Sequence, residues 1–173
     1  MDPSRLRVPP LQPAFHVVLL EPEIPPNTGN VARLCAATRS PLHLVGPLGF
    51  RIDDHAVRRA GLDYWNLVDL RRHLDFPHFE HAHRKEAPPS ARRWLFTAHA
   101  TKSWFDEEIV PRPGDALIFG RESIGLPKDL VARHENDSVA IPTMGEVRSH
   151  NLANAAAIAL YEALRRAGAL RTE

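Results

Sequence analysis

The chain has 173 residues, 43% hydrophobic and 25% charged, with a net charge of +1. This length and balance fit one globular domain with a real core and exclude fibrous or wholly disordered classes, and the near-zero charge makes no global electrostatic case for nucleic acid. The single cysteine, Cys35, cannot form an internal disulfide, which fits a reducing, cytoplasmic compartment.

In chain order, strand-like runs alternate with helical ones, the pattern of an α/β domain with a largely parallel sheet. Residues 1–13 carry four prolines and no continuous apolar run. They are expected to form a flexible extension, not a signal peptide, ahead of a single domain over 14–173. Residues 15–20 (FHVVLL) predict the first strand and 28–38 the first helix, with Val31, Leu34 and Cys35 on one face. A second strand follows at 42–45. Asp53 and Asp54 can cap a helix reaching Ala60, residues 67–70 suit a short strand, and 71–82 read as helical. Strands are expected at 94–98, 116–119 and 138–141, and a short helix at 126–134, where Pro127 is tolerated early. The last helix is predicted over 149–167 with Ser149 as N-cap and Asn151 and Asn154 on its first turn. No apolar run approaches the ~20 residues of a membrane span.

Three loops interrupt this pattern where strands end, which is where open α/β sheets hold ligands. They are EPEIPPNTGN (21–30), FGRESIGLP (119–127) and IPTMGEVRS (141–149). Asn27 and Asn30 suit a turn and a helix cap. Gly120 and Gly125 permit close backbone approach to a ligand, with Glu122 between them as an orderer of its loop. No GxxxxGK[ST] is present and no GxGxxG follows a strand, which argues against a nucleoside triphosphate or dinucleotide. Of the 22 basic residues only three are lysines. Arginine suits bidentate phosphate contacts, but GC-rich coding is the better explanation of the total, so clustering near a site carries the information. His78, His81 and His83 have metal-like spacing without a second ligand cluster and read as a solvated surface. Cys35 reads as core. No metal site is expected.

Taken together, 21–36, 49–65, 119–127 and 141–165 resemble the SPOUT superfamily of RNA methyltransferases, and within it the small tRNA wobble-position 2'-O-methyltransferases. The resemblance spans about Phe15 to Gly168. It implies an α/β fold with a C-terminal trefoil knot, S-adenosylmethionine as methyl donor, the tRNA anticodon arm as substrate, and a homodimer with each site at the subunit interface. Carried over by position, the donor site falls at His99, Gly120, Ile141 and Ser149. The catalytic constellation falls on Arg33, Asn30, Ser149 and Asn151, and RNA contacts on Asn27, Arg33, Arg58, Arg59, Tyr64 and Arg148. The chain departs from the family's pattern at Arg121 and Ile124 in the second loop and at Gly145–Glu146 in the third. The alternatives are a knotted RNA-binding or assembly protein without catalysis, and a 2'-O-methyltransferase acting on rRNA. A small-molecule α/β enzyme is a more distant rival.

Overall fold

The computed structural model describes residues 6–50 and 64–172. Six strands form one sheet: β1 (His16–Leu20), β2 (Leu42–Val45), β3 (Leu70–His73), β4 (Arg93–Phe96), β5 (Ala116–Phe119) and β6 (Ser138–Val139). Their order is β3-β2-β1-β5-β4-β6 and every pairing between them is parallel. Strands β1, β2 and β5 are buried throughout, as expected of a parallel sheet covered on both faces. From β1 the chain builds outward through β2 and β3 on one side; it then crosses to β4 on the other, returns to place β5 between β1 and β4, and ends at the outer β6. The connections therefore run in opposite directions from β1 and β5, and the carboxyl ends of these two strands are where an open α/β sheet holds its ligand.

Two apolar layers sandwich the sheet. On one face α1 (Pro25–Thr38) and α4 (Leu152–Arg166) pack together over Val17, Leu19, Leu117 and Phe119. Buried Leu152, Ala156, Ala159, Leu160 and Ala163 form a stripe at helical spacing, and the small alanines let α4 approach closely. On the other face α2 (Phe76–Glu86) and α3 (Lys128–Arg133) place Phe76, Phe79 and Leu130 over Val18, Val45 and Ile118. Leu11 packs against the first layer, so the proline-rich segment is anchored at that residue.

Helix boundaries depart from the sequence reading for identifiable reasons. Helix α1 starts three residues early because Pro25 and Pro26 occupy its first positions, where a missing N–H costs nothing. Asn27 and Asn30 thus lie inside the helix and form neither a turn nor its cap. Helix α4 starts late: its N-cap is Asn151, whose Oδ1 accepts from the N–H groups of Ala153 and Asn154, and Ser149 lies ahead of the helix. Residues 71–73 are strand, and α2 begins only after the Asp75 cap. Residues 67–70 contain the end of a 3-10 turn and one strand residue. The predicted 53–60 helix lies outside the described residues.

His83 is buried, not solvated. It bonds the Gly114 carbonyl at 2.9 Å and stands edge-on to His16. His16, His43 and His73 form a row across β1, β2 and β3, linked Nδ1 to Nε2 at 2.9 Å in each step. A neutral imidazole has one N–H, so His43 donates one of these bonds and accepts the other. Burial, reinforced by the neighbouring imidazoles, lowers His16 to about 4 and His43 to about 2. Burial also lowers His73 and His83. In the unfolded chain these rings bind protons near their ordinary 6.5, so the unfolded state takes up more protons as the pH falls below that value. Stability is therefore full above about pH 6.5 and lost progressively toward pH 4. Thermal melts should show Tm falling by several degrees between pH 7 and pH 5; a flat profile over that range would contradict a neutral buried row.

Candidate active site

The loops after β1, β5 and β6 meet around one side chain. Asn27, buried in the first turn of α1, donates from Nδ2 to Glu122 Oε1 at 3.0 Å and accepts at Oδ1 from Asn151 Nδ2, also at 3.0 Å. The amide therefore joins residues from all three loops, and its orientation is dictated by a carboxylate on one side and an N–H donor on the other.

Glu122 supplies what α1 lacks. The N-cap residue Ile24 has no capping side chain, and the Glu122 carboxylate instead accepts from the N–H groups of Glu23 (2.9 Å) and Ile24 (3.2 Å). A negative charge at a helix N-terminus is stabilising. Partial burial pushes the Glu122 carboxyl up, but bonds from Asn27, Glu23, its own N–H and Ile24 outweigh it and hold the group below its usual value. It is a fixed anion that orders two loops. Sequence reasoning missed the reciprocal tie, in which Glu23 accepts from the N–H and Oγ of Ser123, both at 2.9 Å. Arg121, at one of the departures from the family pattern, pairs with Glu21. Arg148 of the third loop reaches the Ser123 carbonyl at 3.3 Å.

Gly120 has no room for a side chain: a Cβ there would lie 2.2 Å from the Gly125 carbonyl carbon. The second loop closes on it through paired bonds between Arg121 and Gly125 (3.1 and 2.8 Å), with Gly125 at φ +73. His99, Gly120 and Ile141, which the resemblance assigns to the donor site, follow β4, β5 and β6, which are neighbours in the sheet, so all three lie at its carboxyl-terminal side. His99 is exposed, and Ile141 is half-buried against the core. Ser149 and Asn30 are exposed beside the junction's loops. Arg33 is exposed on α1 with its guanidinium 5.4 Å from the Tyr64 ring centroid, and Tyr64 in turn donates to the Gly29 carbonyl at 3.0 Å. Arg58 and Arg59 lie outside the described residues. Burial pushes the Cys35 thiol up, which leaves it an inert core group. Among the described residues no group of His, Cys, Asp or Glu is placed to hold a metal ion.

This architecture, a parallel six-stranded sheet flanked by helices, is that of the SPOUT methyltransferases. The sequence profile of the SpoU rRNA Methylase family matches residues 14–161, and the chain belongs to that family. It is 47% identical to a Burkholderia ambifaria tRNA (cytidine(34)-2'-O)-methyltransferase over 155 residues, 89% of this chain and 96% of that protein. A solved structure concerned with the 2-OH methylation of C/U34 on tRNA is 48% identical, with a TM-score of 0.79 over 89% of this chain and 97% of that one. The methyltransferase AviRb from Streptomyces viridochromogenes, solved in complex with the cofactor AdoMet, is 26% identical with a TM-score of 0.71, covering 95% and 62% of the two chains.

Replacing Glu122 by Gln turns an acceptor of three N–H bonds into a group that also presents N–H. Chemical denaturation should show a loss of about 1–2 kcal/mol. Wild-type stability in that variant would show that the carboxylate does not hold the loops together. Gly120→Ala, whose methyl meets backbone, should be destabilised further.

Proposed function

We propose that the chain transfers the methyl group of S-adenosylmethionine to the ribose 2'-OH of the wobble nucleotide, cytidine or uridine, in the tRNA anticodon loop. The observation that carries this reading is the junction through Asn27, which ties the loops holding Gly120, Ile141 and Ser149 to the first turn of the helix bearing Asn30 and Arg33; on this reading the former, with His99, hold the donor and the latter meet the acceptor. The activity named for the relatives supports the reaction and its position.

The residues present fit such a donor. It carries no phosphate, and the loops offer glycine-bounded main chain together with three large apolar side chains left exposed, Ile124, Met144 and Val147. These suit an adenine and an aliphatic tail. When bound, the donor supplies a methyl group activated by positively charged sulfur. The protein's own contribution is position and desolvation. Arg33 cannot act as a literal base, because its guanidinium stays protonated. It binds the phosphate next to the target ribose and orients the hydroxyl, whose proton passes to a polar neighbour or water. Asn151 and Asn27 hold the loops at fixed separation, Ser149 lies at the donor–acceptor boundary, and Tyr64 steadies Arg33. Arg148 is a further RNA contact, and the resemblance assigns Arg58 and Arg59 to RNA binding as well.

The same reading includes a cytoplasmic homodimer with each site at the subunit interface, a single domain over 14–173, and a C-terminal segment threaded as a trefoil knot. It needs no metal. No helix among the described residues is long and apolar enough to cross a membrane. The rRNA of the family's description is the second reading, and the tRNA named for the more similar relatives favours the first.

Arg33→Lys keeps the charge and loses the planar fork. Its kcat/KM for tRNA should fall at least about tenfold with donor affinity unchanged, and wild-type rates would remove the positioning role. Nuclease digests of tRNA from a strain lacking the protein should lack the 2'-O-methyl nucleotide at the wobble position. An intact tRNA pattern with a loss in rRNA would select the second reading. Sedimentation should give twice the 19.4 kDa of one chain.

A further inference from the structure

The exposed positions of α1 after its N-terminus, Asn30, Arg33 and Ala37, recur every three to four residues and share one face. That face runs from the junction to a concavity of about 660 Å³ on whose wall stand Arg7, Arg33, Arg39, Ser40 and Tyr64. Its volume is that of a small-ligand site. Three guanidinium groups surround it, and among the described residues none of them is paired with a carboxylate. Most other described arginines are paired, Arg71 with Asp69 and Glu86, Arg92 with Asp137, Arg93 with Glu80, Arg121 with Glu21, and Arg165 and Arg166 with Glu162; Arg72, Arg112, Arg148 and Arg171 also lack a carboxylate, but they do not line this hollow. Asp69, on the concavity's wall, is engaged by Arg71 through two bonds. Like charges gathered around one hollow repel unless an anion joins them.

Two of these arginines stand at notable places in the chain. Arg39 ends α1 at φ +54, the left-handed position where glycine is the unstrained choice. Arg7 belongs to the segment ahead of residue 14, where the family match begins, and that segment is held to the body through Leu11.

We infer that this concavity is a subsite for the sugar–phosphate backbone of the RNA substrate. Arg7 and Arg39 bind phosphates that flank the nucleotide engaged by Arg33, so the N-terminal segment is part of the RNA-binding surface. The inference rests on the RNA methyltransferase reading above.

The test is tRNA binding across a salt series, with steady-state methylation, for wild type, Arg7→Ala and Arg39→Gly. Arg39→Gly removes the charge while relieving the left-handed residue, so a loss of affinity in it does not come from unfolding. Each variant should weaken tRNA binding about five- to tenfold near 0.1 M salt and flatten the slope of log K against log salt by about 0.7–0.9. KM for tRNA should rise more than kcat falls, and donor affinity should hold. Wild-type affinity and slope in both variants, with a wild-type protein that methylates tRNA, overturns the subsite. A wild-type protein that methylates no RNA overturns instead the reading on which it rests.

Discussion

One buried side-chain amide sets the geometry of the site. Asn27 is gripped by the Glu122 carboxylate on one side and by Asn151 on the other, and these residues lie far apart in sequence on loops that follow different strands. Each partner also caps a helix: Glu122 serves the N-terminus of α1, and Asn151 that of α4. Loop position and helix stability are thereby coupled. A displaced loop leaves a helix end without its acceptor, so the junction resists the small shifts that would spoil an in-line methyl transfer.

The sheet explains why such a junction forms here. Parallel strands point all their carboxyl ends the same way, and connections running in opposite directions from β1 and β5 put the loops of these strands where an open α/β sheet holds its ligand. Nothing there is built for phosphate. Of the cations in the loops, Arg121 is neutralised by Glu21 and Arg148 is tied to the Ser123 carbonyl, while Arg33 stands on the exposed face of α1. On the proposed reading the donor meets main chain and apolar side chains at the strand ends, and the RNA meets Arg33 on the helix.

Much of this was legible in the sequence. Residues 42–45 and 116–119 form the strands their apolar runs predict, and the three loops were marked by clusters of glycine, proline and asparagine. What periodicity could not give was contact between distant positions. Asn27 reads locally as a turn residue because asparagine favours turns, and only tertiary structure turns it into a bridge. Ser149 reads as a cap because serine caps well, yet Asn151 makes the bonds. The strand at β3 was hidden because its arginines suit a helix in isolation. The row of His16, His43 and His73 spans three strands and leaves no local trace. Arg39 shows no sign in sequence of its left-handed backbone. The family resemblance, carried by four segments in order, supplied the donor and the reaction that periodicity alone could not.

The account's central claim is that the Asn27 junction assembles a site delivering a methyl group to one ribose hydroxyl. Its most direct test is to incubate the purified protein, and its folded Asn27→Ala variant, with methyl-labelled S-adenosylmethionine and tRNA, and to map the label after nuclease digestion. The wild type should place label only in the 2'-O-methyl nucleotide at the wobble position, and the variant should place almost none. Label on a base or at other positions, or equal incorporation by the variant, would contradict the account.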